Sequence, residues 1–261
     1  MKEISCDEKV DYIIHGAAIT TSKVMVERPV ETIFASIDGT KHVLEFAKEK
    51  KVKSVVYLSS MEMYGSFSSC DSPVKEDELG FIDIKNVRSN YPMTKRMCEN
   101  MCVAYLSQYD VPVKIARLAQ TFGPGILPGE NRVFAQFARS AMKGEDIVLH
   151  TKGLSEGNYC YSGDAIYGIL LILLSGVNGE SYNVCNEKTH TTICDMAKMV
   201  CEKFSDGKSS LVFDIPKENT FGYAADTHLR LSSEKLRSLG WEPKVDLEEA
   251  YHRLILSMKE Q

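Results

Sequence analysis

The stretch that decides the fold is VKSVVYLSSMEMYG, residues 52–65. Its first half is a short run of β-branched and apolar residues, which is typical of a strand buried on both faces. The run ends in two adjacent hydroxyls, Ser59 and Ser60, and a carboxylate follows at Glu62. Ligands of open parallel sheets bind beyond the carboxyl ends of the strands. The stretch therefore predicts a central strand that ends at a functional edge.

Strands and helices alternate on both sides of this stretch. The predicted elements are, in order, strand 10–14, helix 29–51, strand 54–59, a polar segment 66–90, helix 91–109 and strand 113–118. The first helix opens with a proline, which the first helical turn accepts because its N–H needs no partner there. This βαβαβ order predicts an α/β fold, with a parallel sheet covered by helices on both faces.

The second half of the chain is more mixed. It follows FGPGILPG at 122–129, whose glycines and prolines indicate a loop. The predicted elements beyond it are helices at 132–143, 164–175, 192–204, 232–239 and 247–258 and strands at 147–150 and 181–184. We predict a first domain over 1–125 and a smaller α/β lobe over 126–261, with elements interleaved across the boundary.

Composition excludes several classes of protein. The 261 residues carry a net charge of −5 with scattered lysines and arginines, so a nucleic-acid partner is not expected. The longest apolar run, 165–177, is too short to cross a bilayer, and no leader is visible, so a cytoplasmic protein without a membrane partner is predicted. The eight cysteines include no CxxC pair, which favours buried free thiols and predicts no metal site.

Tyr91 and Lys95 in YPMTK are four residues apart, so they share one face of the predicted helix. A phenol with an ordinary pKa near 10 is a poor base at neutral pH, but a neighbouring ammonium favours the phenolate. We therefore expect Lys95 to lower the pKa of Tyr91 and make it a proton acceptor. The spacing alone is weak evidence, and the preceding strand ending in Ser59 and Ser60 strengthens it.

Four segments together resemble one enzyme family. They are SSMEMYG, YPMTKRMCEN, RLAQTFGPG and LGWEPKVDLEEA, in this order along the chain. Together they resemble the extended short-chain dehydrogenases that act as nucleotide-sugar epimerases, dehydratases and decarboxylases. The resemblance covers essentially the whole chain. It implies a Rossmann-type fold, NAD as cofactor, and a nucleotide-diphosphate sugar bound by the C-terminal lobe.

The resemblance also implies roles for the polar residues. Ser60 would hydrogen-bond the sugar hydroxyl that is oxidised, and Tyr91 would be the base. Lys95 would bind the nicotinamide ribose and tune the tyrosine. Glu62 would lie where dehydratases and decarboxylases keep an acid–base glutamate, although a solvated loop charge is the competing interpretation.

Further positions follow from the same resemblance. Ala17, Ala18, Ser36 and Ser59 would contact the cofactor. Substrate contacts are implied for Gln120, which replaces the family's usual asparagine, and for Arg132. The helices 29–51 and 91–109 resemble the pair that forms a four-helix homodimer interface in this family, so a homodimer is expected.

The sequence departs from the family pattern at its beginning. A GxxGxxG loop that cradles the cofactor pyrophosphate is expected before strand 10–14, and the 261 residues contain none. The resemblance thus implies a partial NAD-binding domain without its N-terminal strands. We expect strand 10–14 to form an apolar, unpaired sheet edge that invites association.

Two more departures concern chemistry. Met61 stands where dehydratases have an acidic residue, and Gly157 stands where the family has an arginine on the sugar diphosphate. Met61 weakens the 4,6-dehydratase alternative, and Gly157 weakens the decarboxylase alternative. We therefore predict an epimerase-type reaction through a 4-keto sugar. A catalytically silent fragment or scaffold remains an alternative, and a reductase is a weaker one.

Overall fold

The computed structural model describes residues 4–67, 72–216 and 226–260. Its helices are α1 (Ser22–Glu27), α2 (Pro29–Lys50), α3 (Asn90–Tyr109), α4 (Val133–Lys143), α5 (Ser162–Ser175), α6 (Ile193–Phe204), α7 (Glu234–Arg237) and α8 (Leu247–Lys259). Its strands are β1 (Tyr12–His15), β2 (Ser54–Ser60), β3 (Val113–Leu118), β4 (Gln120–Phe122), β5 (Ile147–Leu149), β6 (Glu156–Gly157), β7 (Tyr159–Tyr161), β8 (Ser181–Val184), β9 (Thr191–Thr192) and β10 (Leu211–Phe213). Short 3₁₀ helices cover Met61–Tyr64, Val87–Ser89 and Glu187–Thr189.

The main sheet has the order β1-β2-β3-β8, and all of its pairs are parallel. Successive residues of β2 point to opposite faces of this sheet. Val55 and Tyr57 pack under α2 and α3, whereas Val56 packs with α5 and with Trp241. Burial on both faces explains why β2 and β3 read as continuous apolar runs.

The second half of the chain forms its own core. Helices α4, α6 and α8 pack around aromatic residues such as Phe122, Phe134 and Tyr251. The two-stranded pairs β10-β5, β4-β7 and β6-β9 lie in this half, but β8 joins the main sheet beside β3. The chain therefore crosses back from the second half into the first.

The predicted α/β fold with a parallel sheet flanked by helices is confirmed. The strands at 113–118 and 181–184 have the predicted bounds, and the other predicted strands and long helices differ by one or two residues at their ends. The helix predicted at 232–239 is shorter, as α7 covers only Glu234–Arg237. Helix α1 and the short strands β4, β6, β7, β9 and β10 were not predicted, because segments of so few residues carry little periodicity.

Three further expectations concern the edge of the sheet, membrane-spanning helices and the cysteines. Strand β1 lies at the sheet edge, as expected. Among the described residues no helix combines the length and apolarity that a bilayer span requires. The seven cysteines in the described ranges are free thiols, and five of them are buried, while Cys6 and Cys194 are partly exposed; Cys70 lies outside those ranges.

Candidate active site

The site lies at the carboxyl edge of the main sheet, where β2 ends. Ser60 is the last residue of β2, and the 3₁₀ helix Met61–Tyr64 begins directly after it. The Ser60 Oγ accepts a hydrogen bond from the backbone N–H of Glu62 at 3.2 Å, which is an ordinary N-cap. Arg96 of α3 donates to the carbonyls of Met63 at 2.7 Å and Tyr64 at 3.0 Å. The turn after β2 is therefore fastened to α3.

Helix α3 brings Tyr91 and Lys95 to this turn. Tyr91 is buried and its side chain is hydrogen-bonded to that of Ser60. Lys95 is 4% exposed, and its Nζ donates to the carbonyl of Leu58 at 2.7 Å. The same Nζ lies 5.6 Å from the centroid of the Tyr91 ring. The serine, the phenol and the ammonium predicted from the sequence thus lie side by side.

The expected lowering of the Tyr91 pKa is wrong for this chain. Burial is the largest influence and raises the pKa of Tyr91, and the nearby charge of Glu62 raises it further. The Ser60 hydrogen bond and Arg88 act in the opposite direction but do not outweigh burial. Lys95 is buried as well, which lowers its own pKa to about 8. Because the Lys95 ammonium is buried and donates to Leu58 O, it does little to lower the pKa of Tyr91.

Glu62 is held in an ion pair, although its side chain remains partly exposed. Both of its carboxylate oxygens accept hydrogen bonds from Arg88 Nη2, at 3.1 and 2.8 Å. Arg88 lies in the 3₁₀ helix Val87–Ser89, near the end of the polar segment 66–90. The sequence did not point to Arg88, because a polar segment carries no periodicity that would place its side chains.

The four residues expected to contact the cofactor differ in their surroundings. Ala17 is exposed and Ala18 is partly buried, both in the turn after β1. The Ser36 hydroxyl is already occupied, because it donates to the Thr32 carbonyl of its own helix at 3.1 Å. The Ser59 Oγ is buried and finds no hydrogen-bond partner among the described residues.

The two residues expected to bind substrate make polar contacts with groups other than Ser60, Tyr91 and Lys95. Gln120 lies in β4, and its backbone N–H donates to Asn158 O at 3.3 Å. Arg132 precedes α4, and its Nη2 donates to Glu130 Oε2 at 2.6 Å. The structure pairs the Arg132 guanidinium with Glu130 rather than with the Ser60, Tyr91 and Lys95 group.

The two departures from the family pattern lie next to each other. A Cβ built on Gly157 would be 3.5 Å from the Met61 Cε, which is ordinary van der Waals contact. Gly157 is buried and Met61 is partly buried. A thioether methyl and a bare backbone thus face each other where the resemblance implied an acid and an arginine.

Comparison with known proteins shows the family of this chain. Residues 1–185 match the model of the NAD dependent epimerase/dehydratase family. The chain belongs to this family. The family is NAD dependent, and several of the relatives that match this chain are named for nucleotide sugars.

Individual members of the NAD dependent epimerase/dehydratase family are similar over nearly the whole chain. The dTDP-D-glucose 4,6-dehydratase of Mus musculus is 27% identical over 95% of the chain and 67% of its own length. The UDP-glucuronic acid decarboxylase 1 of Xenopus tropicalis is 28% identical over 95% of the chain and 56% of its own length. The solved UDP-glucose 4-epimerase of Thermotoga maritima has a TM-score of 0.83 at 25% identity, covering 96% of this chain and 77% of that one. The chain therefore spans about two thirds or less of the curated relatives it matches.

The residues at the end of β2 fit the reactive end of NAD. The unpartnered, buried Ser59 Oγ offers a hydroxyl for a polar ligand. Gly16 and Ala17 keep the turn after β1 small, and a Cβ on Gly16 would already be 3.2 Å from the Leu58 side chain. Lys95 could turn from Leu58 O to a ribose hydroxyl with the same donor group.

Proposed function

We propose that the protein modifies a nucleotide-diphosphate sugar through a 4-keto intermediate, in an epimerase-type reaction that uses NAD. The observation that carries the proposal is the contact group of Ser60, Tyr91 and Lys95 at the end of β2. When bound, NAD supplies a hydride acceptor that later returns the hydride. The net reaction is therefore redox-neutral.

Each residue of the group has a distinct task in this proposal. Ser60 hydrogen-bonds the sugar hydroxyl at C4, and Tyr91 takes the proton of that hydroxyl through its phenolic oxygen. The Ser60 hydrogen bond to Tyr91 favours the phenolate, so the two side chains act together. Lys95 holds the cofactor ribose and keeps a positive charge beside the phenol. Return of the proton from Tyr91 accompanies reduction of the keto sugar on its other face.

An epimerase-type reaction requires fewer catalytic side chains than the dehydratase and decarboxylase reactions do. A 4,6-dehydratase needs an acid that protonates a departing hydroxyl, and the Met61 thioether cannot donate a proton. Gly157 offers no cation for a diphosphate or a carboxylate. Glu62 is bound to Arg88, so it is not a free base as the chain stands. Dehydratase and decarboxylase activities are therefore the second choice.

The test is a panel of UDP-, dTDP-, CDP- and GDP-sugars incubated with the protein and NAD and analysed by chromatography and mass. We expect a product of unchanged mass from at least one sugar and loss of turnover in Tyr91→Phe and Ser60→Ala. Loss of water or of carbon dioxide would support the dehydratase or decarboxylase alternative. NAD binding without conversion of any sugar would contradict the proposal.

A catalytically silent scaffold is the second candidate. The raised pKa of Tyr91 and the bond from Lys95 to Leu58 O favour it, because neither side chain is poised for proton transfer. Calorimetry with NAD separates the two candidates. Micromolar binding that is lost in Lys95→Met would count against the scaffold, whereas absence of binding would support it.

We extend the proposal to domain roles and assembly. Residues 1–125 hold the cofactor and 126–261 mainly bind the sugar nucleotide, with Gln120 and Arg132 among the substrate contacts. Helices α2 and α3 pack together, and exposed apolar side chains such as Phe34 and Met97 remain on them. Pairing of these helices across a two-fold axis would give a homodimer. Sedimentation velocity of the wild-type protein and of Met97→Glu tests this assembly.

A further inference from the structure

Arg88 contacts both the carboxylate of Glu62 and the aromatic ring of Tyr91. Its Nη2 donates to both oxygens of Glu62, and its guanidinium carbon lies 5.7 Å from the centroid of the Tyr91 ring. The Arg88 and Glu62 side chains are 27% and 39% exposed, so water screens this pair only in part. One cation thus faces a carboxylate and a phenol at once.

The backbone around Arg88 is anchored on both sides. The Asn86 side chain accepts a hydrogen bond from the Arg88 N–H at 2.9 Å, and the Ser89 hydroxyl donates to Asp83 O at 2.6 Å. Asn90, which follows, donates to the Met25 carbonyl of α1 at 2.7 Å. The end of the polar segment is therefore tied to α1 and α3. A longer contact joins Arg88 Nη2 to the Ser22 Oγ of α1, at 3.5 Å.

We propose that Arg88 is a positioning residue that neutralises Glu62 beside Tyr91 and fixes the orientation of its carboxylate. The proposal rests on the proposed function of Tyr91 as proton acceptor. Without Arg88, the Glu62 charge would oppose a phenolate at Tyr91, and the carboxylate would be free to swing toward the phenol. Arg88 thereby lets one site hold a carboxylate and a phenolate together.

The groups that face Tyr91 decide the sign of each expected change. They are Ser60 at the end of β2, Glu62 in the following 3₁₀ helix, Arg88 before α3, and Lys95 one turn along α3. Burial and Glu62 raise the pKa of Tyr91, while Ser60 and Arg88 lower it. Removal of Arg88 should therefore raise this pKa, and removal of Glu62 should lower it. Removal of both should leave it close to the wild-type value.

The experiment replaces Tyr91 with a fluorinated tyrosine, whose more acidic phenol titrates where the fold is stable. The ¹⁹F resonance then reports position 91 alone, without NAD or sugar. We expect an upward shift of the titration midpoint by about half to one pH unit in Arg88→Gln. Glu62→Gln should shift the midpoint down. The double variant should have a midpoint within a few tenths of a pH unit of the wild-type value.

Arg88→Lys is the conservative variant, because it keeps the positive charge and removes the planar guanidinium whose Nη2 bridges the two Glu62 oxygens. Arg88→Lys should therefore bring the titration midpoint most of the way back to the wild-type value. An unchanged midpoint in Arg88→Gln, or shifts of the same sign in both single variants, would overturn the proposal. Circular dichroism of each variant checks that the fold is retained. Opposite shifts combined with no turnover of any sugar would leave the Arg88 inference standing and would remove the proposed function.

Discussion

At the scale of single residues, two basic groups share the buried space under the site. His15 is buried at the end of β1, where its Nε2 lies 3.1 Å from Thr40 Oγ1 and its ring lies 5.5 Å from that of Tyr57. Burial first, and the charge of Lys95 second, lower the pKa of His15 to about 4. At neutral pH His15 is therefore uncharged, and Lys95 carries the only positive charge of this pair.

This arrangement predicts acid sensitivity. An unfolded His15 takes up a proton below its ordinary pKa of 6.5, and the folded chain resists it until about 4. The free energy of unfolding should therefore fall as the pH drops from 6.5 through 4. His15→Asn should remove about 3 kcal/mol of this dependence. Urea denaturation at a series of pH values measures the slope.

His252→Asn is the matched control, since His252 is exposed on α8. Its stability should follow the wild-type pH dependence. An unchanged slope in His15→Asn would contradict the neutral, buried state of His15.

The sequence revealed the residues of the site only where spacing carries information. Tyr91 and Lys95 are one helical turn apart, and Ser60 ends an apolar run, so these three could be predicted. Arg88 could not be placed, because it belongs to a polar segment whose path depends on tertiary contacts with α1 and α3. The pKa of Tyr91 was mispredicted because burial cannot be read from a spacing of four.

At the scale of elements, a buried ion pair joins β3 to α3. Arg117 of β3 donates to Glu99 of α3 from both Nε and Nη2, and the two side chains are 7% and 8% exposed. Arg117 also donates to the Tyr64 hydroxyl at 2.9 Å, which lies in the turn after β2. One guanidinium therefore fastens a strand, a helix and the turn that carries Glu62.

Removal of one partner should be costly. Glu99→Leu leaves the Arg117 charge buried without its carboxylate, and we expect a loss of about 3–5 kcal/mol in the free energy of unfolding. Chemical denaturation measures the loss. The pair Arg253 and Glu249 on α8 is exposed, with side chains 43% and 44% accessible. Glu249→Leu should therefore cost less than about 1 kcal/mol. Equal losses in the two variants would contradict this account.

Long helices and strands could be predicted from the sequence more reliably than short ones. Strands β2 and β3 and helices α2 and α3 carry long apolar patterns, and their bounds followed from sequence. Strands β6 and β9 contain two residues each and owe their form to pairing with each other. Their pairing depends on distant segments, which local patterns do not encode.

At the scale of the whole molecule, β1 leaves one side of the main sheet open. Its Tyr12 and Ile14 are 47% and 46% exposed, and β2 is its only strand partner among the described residues. An apolar edge strand with free N–H and C=O groups is a template for another strand. We therefore expect the described residues to associate through this edge where no other strand covers it.

A charge on this edge should suppress that association. Ile14→Lys places an ammonium on the open strand, and we expect a smaller associated fraction in sedimentation velocity at high protein concentration. Leu256→Lys is the control, because Leu256 is an exposed apolar residue on α8, away from the edge. Identical association of the wild-type protein and both variants would show that β1 plays no part.

The facing pair of Met61 and Gly157 also bears on how far this chain lies from its relatives. Gly157 has no positive φ, so a side chain at this position meets no backbone penalty. Its first carbon would be in ordinary contact with the flexible Met61 thioether at 3.5 Å and with the Leu229 carbonyl at 3.8 Å. A single replacement could thus install a cation at position 157, and a second at Met61 could add an acid. Under the proposed function, these two neighbouring positions are where an isomerising and an eliminating enzyme would differ.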